Sequence, residues 1–180
     1  MKNSKILALV EECLKGNTES YGSIVRHFQE KIYNLCFHFL GTPQDAEDAA
    51  IEVFIKAYRS LNHFNPQYAF STWLFKIAVN HSIGVLRQQK REKEYLLAEA
   101  SNPTRLKESR APDIVFFRDS QQKALEKALE SLPVKYKTAL MLKYQQDLSY
   151  QEISEITDIP VNTIGSLILR GKKALREALE

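Results

Sequence analysis

Apolar residues recur at three- and four-residue steps along most of this chain, and the pattern reads as helix throughout. Ile6, Leu7, Val10, Cys13 and Leu14 make one amphipathic face, ended by Gly16 and Asn17. Tyr21, Ile24, Phe28, Ile32, Leu35 and Phe39 make a second, ended by Gly41, since glycine readily takes the left-handed backbone that closes a helix. Both faces need partners. Thr42, then Pro43 and the carboxylates Asp45, Glu47 and Asp48, predicts a new helix, because negative charge in the first turn complements the helix dipole. That helix runs through Ala46, Ala50, Val53 and Ala57 to about Leu61. Residues 62–70 contain a proline and little periodicity, which predicts a loop. After it Thr72 caps a helix whose Trp73, Leu74, Ile77 and Ala78 face inward.

From Arg91 to Asp113 the apolar pattern thins, with Pro103 and Pro112 among charged and small polar residues, and a linker with a short helix over 92–100 is expected. Periodicity returns near Ile114 with Leu125, Leu129 and Leu132, is punctuated by Pro133, and continues through Ala139, Leu140 and Leu142. The pattern thus predicts an all-α protein. Two small helical domains, 1–90 and 119–180, are joined by a flexible linker over 91–118.

The final segment predicts function more sharply. Ser149 with Glu152 three residues on forms a capping box, and Ile153 and Ile156 give the helix it starts one apolar face. Asp158 tolerates the left-handed turn that follows, and Pro160 suits the start of the next helix. Along that helix Val161, Ile164, Ile168, Gly171 and Leu175 face inward, leaving Asn162, Thr163, Ser166, Leu169, Arg170 and Lys173 outward. No acidic residue occurs from Val161 to Arg176, whereas Arg170, Lys172, Lys173 and Arg176 are all basic. A helix-turn-helix with such a second helix suits a phosphate backbone; the alternative is an ordinary helical hairpin with a solvated basic edge.

Composition adds little to this. The 180 residues suffice for a core without disulfides, and a net charge of +3 is too small to argue for nucleic acid by itself. The basic residues gather instead in two places, Arg87 to Lys93 and the end of the last helix. Cys13 and Cys36 occupy apolar helical positions and are expected in a core, in a reducing cytosol. There is no basic and apolar leader and no membrane-length apolar run, so a cytoplasmic protein without membrane insertion is expected. No zinc-like spacing joins His27, His38, His63 and His81, no glycine loop cradles phosphate, and no nucleophile and base pair stands out. No metal, cofactor or catalytic residue is therefore expected.

Around the 62–70 loop lies an aromatic cluster of Phe64, Tyr68, Phe70, Trp73 and Phe75. Trp73 and Phe75 read as core. Phe64, Tyr68 and Phe70 fall in the loop near Arg59, Lys76 and Asn80, and rings beside cations are what unpaired bases stack on.

Here the chain resembles the bacterial RNA polymerase sigma factors of the extracytoplasmic-function group, the two-domain type within the sigma-70 family. The resemblance is carried by Asp45-Ala46-Glu47-Asp48 with Glu52-Val53-Phe54, then Ser71-Thr72-Trp73-Leu74 with Ile77-Ala78-Val79-Asn80. Leu132-Pro133, Leu148-Ser149-Tyr150-Gln151-Glu152-Ile153 and Ile159-Pro160-Val161-Asn162-Thr163-Ile164 follow in family order. It implies a region 2-like domain over 1–90 and a region 4-like domain over 119–180. The implied partners are core RNA polymerase through its β′ and β subunits, promoter DNA and an anti-sigma factor. Asp45, Glu47, Asp48, Glu52 and Phe54 would meet the polymerase clamp helices. Arg59, His63, Phe64, Tyr68, Phe70, Ser71, Thr72, Trp73, Lys76, Asn80 and Arg87 would hold the melted minus-10 strand and a flipped base. Lys143, Asn162, Thr163, Ser166, Leu167, Arg170 and Lys173 would meet the minus-35 duplex.

Five positions depart from the family pattern: Ile51 for glutamine, Gly84 for aspartate, Gly165 for lysine, Leu167 for arginine and Leu169 for histidine. Gly165 costs about 1 kcal/mol of helix propensity relative to alanine and removes a phosphate contact. Leu167 and Leu169 either touch thymine methyls or meet a protein. The leading reading is a promoter-specificity subunit. Two others stay open: a helix-turn-helix regulator that works without polymerase, and a sigma-like decoy that binds a partner but reads DNA weakly.

Overall fold

The structure is a computed structural model and describes residues 3–99 and 120–179. Among these residues lie eight α-helices: α1 (Asn3–Leu14), α2 (Thr18–Leu40), α3 (Pro43–Arg59), α4 (Phe70–Glu99), α5 (Ser120–Ser131), α6 (Val134–Tyr144), α7 (Tyr150–Thr157) and α8 (Val161–Leu179).

Local chemistry places most of the boundaries. Asn17 caps α2 by accepting from the Glu19 amide at 3.2 Å, and Gly41 closes it at φ +82°. Thr42 caps α3 by accepting from the Asp45 amide at 3.1 Å, with Pro43 in the first turn where its missing donor costs nothing. The capping box at Ser149 and Glu152 is complete, and Asp158 closes α7 in the left-handed region at φ 55°.

Helices α1 to α4 share one core, in which Ile24, Ile32, Leu35, Val53, Phe70 and Leu74 are sealed from solvent. The Tyr21 hydroxyl donates to the Phe54 carbonyl at 2.6 Å, tying α2 to α3, and burial pushes that phenol well above its usual range. Helices α5 to α8 gather around Leu142, Ile153, Ile156 and Ile164. The halves touch: α7 packs on α4, Lys76 pairs with Asp158 at 2.7 Å, and Gln145 bonds His38 at 2.6 Å.

Three expectations change. Helix α4 starts at Phe70, so Thr72 lies within its first turn and caps nothing, and the Ala69 carbonyl accepts from the Trp73 amide instead. A 3-10 turn over Leu61–His63 occupies part of the expected loop. The chain stays helical to Glu99, so residues 91–99, expected as linker with a separate short helix, are the end of α4. Lys90 with Glu94 at 3.8 Å and Gln88 with Glu92 at 2.8 Å pair across one turn there, which sustains a helix without an apolar face. Ile114 and the rest of the expected linker lie outside the described residues.

Two glycines on helices predict opposite outcomes. A Cβ at Gly84 meets nothing within 4 Å, whereas at Gly171 it falls 3.1 Å from Leu140 Cδ1 and 3.3 Å from Tyr136 Cβ, where α8 approaches α6. Gly84→Ala should raise stability by about 0.5–1 kcal/mol through helix propensity. Gly171→Ala should lower it by roughly 1–3 kcal/mol by overpacking. Urea midpoints followed by circular dichroism check both, and equal midpoints for the two variants would refute the packing account.

Candidate nucleic-acid and protein interfaces

On α3 the four-residue spacing puts Asp48 and Glu52 on one side of the helix, and both are exposed, as is Glu47. Asp45 is half-buried and accepts from Gln89 Nε2 of α4 at 3.3 Å. Phe54 is buried, so it belongs to the core rather than to the acidic face with which the sequence grouped it. Ile51 and Ile55 stand exposed beside the carboxylates, and with Tyr21, Tyr58 and Arg59 they line an apolar groove of about 470 Å³. Arg59 thus lines this groove and not the cleft beside the aromatic loop.

The loop aromatics divide differently from expectation. Phe70 is fully buried and Phe64 nearly so; their rings meet at 5.3 Å, and Phe70 also packs on Phe28 at 5.8 Å. Both are core, which corrects their assignment to open strand. Trp73, expected in the core, is half-buried, packing on Phe64 at 5.3 Å and Phe70 at 5.4 Å while it also lines a cleft; Phe75 is core as expected. What remains open is a cleft of about 390 Å³ lined by His63, Asn65, Tyr68, Thr72, Trp73 and Lys76, with an edge of Phe64. Thr72 lines it with its hydroxyl buried and without a hydrogen-bond partner. Ser71 is half-buried.

Asn65 was missed by the sequence reading. Its side chain accepts from the Gln67 amide at 3.0 Å and its carbonyl from the Tyr68 amide at 3.1 Å, a turn that presents Tyr68. The Asn65-Pro66 dipeptide was the available signal.

Asn80 and Arg87 lie farther along α4, in a second cleft of about 470 Å³ whose other wall includes Thr138, Ile159, Ile164 and Leu167. Leu167 is buried at 7% exposure, and it is not on the outward face. This corrects its place among the base readers. Asn162, Thr163, Ser166, Arg170 and Lys173 are exposed along α8, as is Leu169 at 70%. Helix α8 extends past Arg176, and Lys173 reaches Glu177 at 3.8 Å. Gly165 leaves room for a Cβ in ordinary contact with the Tyr150 ring. Lys143 sits on α6; its ammonium donates to the Leu148 carbonyl at 3.1 Å and lies 5.7 Å from the Tyr150 ring centroid.

Cys13 and Cys36 are free and buried, and burial raises both thiol pKa values. Among the described residues no group of three or more His, Cys, Asp or Glu is placed to hold a metal, and no helix is long and apolar enough to cross a membrane.

The chain matches two family profiles, Sigma-70 region 2 over residues 24–92 and Sigma-70, region 4 over residues 122–175. It is 36% identical over 177 residues to the ECF RNA polymerase sigma factor SigW of Bacillus subtilis, covering 94% of each chain. It is 33% identical over 178 residues to the RNA polymerase sigma-H factor of Pseudomonas aeruginosa, covering 96% of this chain and 92% of that one. Its fold resembles the sigma factor RpoE of Bartonella quintana, solved with the anti-sigma factor NepR, with a TM-score of 0.71 at 20% identity over 89% of this chain and 97% of that one.

His81 gives a pH dependence. Its Nδ1 lies 2.7 Å from Lys56 Nζ, and burial first, then the lysine charge, lower its pKa from 6.5. The fold therefore favours the neutral ring, which accepts from the ammonium. This contribution is full above the unfolded value and is lost as pH falls from about 6.5 toward the lower folded value. His81→Gln should keep an acceptor and flatten that part of the stability curve between pH 8 and 5. Parallel denaturation midpoints for the two proteins across that range would contradict it.

Proposed function

The chain belongs to the extracytoplasmic-function group of RNA polymerase sigma factors, and from that membership we propose how its surfaces divide the work of promoter-specific initiation. It binds core RNA polymerase through the β′ and β subunits, directs it to promoters and assists strand opening near the minus-10 element. It acts in the cytoplasm as a specificity subunit and not as an enzyme. An anti-sigma factor is its expected regulatory partner.

The amino-terminal unit, α1 to α4, takes the polymerase and the opened strand. Glu47, Asp48 and Glu52 supply an acidic face for arginines of the clamp helices, and exposed Ile51 and Ile55 add apolar area to the same contact. The strand role is carried by one observation: Tyr68, Thr72, Trp73 and Lys76 converge on one cleft. Flipping a base costs a few kcal/mol of stacking, and each aromatic contact returns about 1–3 kcal/mol. Asn80 lies one turn beyond Lys76, and Arg87 two turns beyond Asn80, so the exposed strand tracks along α4.

The carboxy-terminal unit, α5 to α8, takes the minus-35 duplex. Asn162, Thr163 and Ser166 reach base edges from the exposed side of α8, Leu169 offers its apolar surface to a thymine methyl, and Arg170 and Lys173 hold phosphates.

Asn80→Ala should impair open-complex formation, read by permanganate footprinting on a duplex promoter, while core polymerase binding stays nearly unchanged. Normal opening would remove Asn80 from the strand site. Arg170→Ala should weaken duplex binding across sequences and reduce the salt slope by about one charge. An unaltered slope would remove Arg170 from the phosphate contacts.

A further inference from the structure

The strand role uses only Asn80 and Arg87 of the second cleft. Its volume, about 470 Å³, falls in the range of small-molecule sites, which favour seams between packed units. The walls are apolar: Val79, Ile83 and Leu86 of α4 stand opposite Ile159, Ile164 and Leu167. The hydroxyls beside them are spent within their own helices, Thr138 donating to the Val134 carbonyl at 2.8 Å and Thr157 to the Ile153 carbonyl at 2.7 Å. A phosphodiester chain finds no partner along such walls. An alkyl chain does.

The charges at this cleft have one sign. Arg87 and Lys90 line it from α4 and Lys135 from α6, and among the described residues no Asp or Glu does. The first cleft differs, since Glu155 and Asp158 line that one. Lys90 lies 3.8 Å from Glu94, but both groups are largely in solvent and the pair is worth little. Helix α6 also begins at this wall, with Pro133 giving it no side-chain cap, so its amino-terminal dipole adds to the positive field. We infer that the second cleft binds a single-chain amphiphile with an anionic head, a fatty carboxylate or an alkyl phosphate. Its tail lies between α4 and α8 and its head among Arg87, Lys90 and Lys135. Either head is an oxygen anion that accepts charge-assisted hydrogen bonds from these cations. A bound amphiphile and an opened strand compete for Arg87; that consequence rests on the strand role proposed above, whereas the binding itself does not.

Isothermal titration of the full chain, without DNA or polymerase, tests the site with decanoate and decyl phosphate, each kept below its micelle concentration. At least one of them should bind one to one, and the comparison shows which head is preferred. The same head on a chain shorter by two methylenes should bind about tenfold more weakly. Decyltrimethylammonium, with the same tail and the opposite charge, should also bind about tenfold more weakly or worse. Inorganic phosphate alone should not bind measurably. Lys135→Gln should weaken the preferred ligand about tenfold. Val134→Asp, which puts a carboxylate in the cleft at a helix start that tolerates it, should abolish binding. Both positions are exposed, and circular dichroism checks that both variants fold. Lys31→Gln removes a cation from an exposed position on α2 and should change nothing. Failure of both anions to bind overturns the site. Equal binding by the cationic amphiphile, by inorganic phosphate or by the shorter chain overturns it too. So does binding that Val134→Asp or Lys135→Gln leaves intact, or that Lys31→Gln weakens as much as Lys135→Gln.

Discussion

Helix α4 has to satisfy two surfaces at once. Its thirty residues, Phe70 to Glu99, span about 45 Å. One side carries Phe70, Leu74, Phe75, Ala78 and Val79 into the amino-terminal core, each almost completely removed from solvent. The other carries Lys76, Asn80, Ile83, Leu86 and Arg87 into two clefts shared with the helix-turn-helix unit. Burying one large apolar side chain contributes about 1.5–3 kcal/mol, whereas an exposed ion pair such as Lys76 with Asp158 contributes about 0–1 kcal/mol. The core side therefore fixes the helix, and the cleft side is left able to change partners.

The parts of the fold legible in the sequence are those set by short-range chemistry. Thr42, Gly41, Ser149 with Glu152, and Asp158 each act within three or four residues, and each does in the structure what its identity predicted. The end of α4 was less legible because its support is polar pairing across one turn, an ion pair of Lys90 with Glu94 and a hydrogen bond from Gln88 to Glu92, in a stretch without apolar rhythm. Thinning hydrophobicity there reads as linker even though the helix continues.

The site was legible as a neighbourhood and not as a list of side chains. Which aromatics stack on ligand and which fill the core depends on where α4 begins. A start at Phe70 turns that ring inward against Phe28 and leaves Trp73 at the cleft. Leu167 was misread for a different reason. It lines the cleft that α8 shares with α4, some eighty residues earlier in the chain. Helical periodicity reports the nearest core and carries no information about a second unit across a seam.

That seam has to be weak for the proposed activity to work. A chain that reads upstream duplex with one unit and opened strand with the other cannot hold the units together by more free energy than polymerase and promoter supply on binding. The contacts are graded accordingly. Asp158 is largely exposed, with about three quarters of its side chain in solvent, so water and salt screen its pair with Lys76. Beside it, Leu167 and Ile159 face Ile83 and Leu86 across a cleft of about 470 Å³ that leaves them incompletely packed. A tighter seam would bury Asn80 and Arg87 beyond the reach of DNA, and a looser one would expose an apolar stripe along α4 and α8 whenever the chain is free. An exposed ion pair over a partly filled apolar cleft lies between those limits.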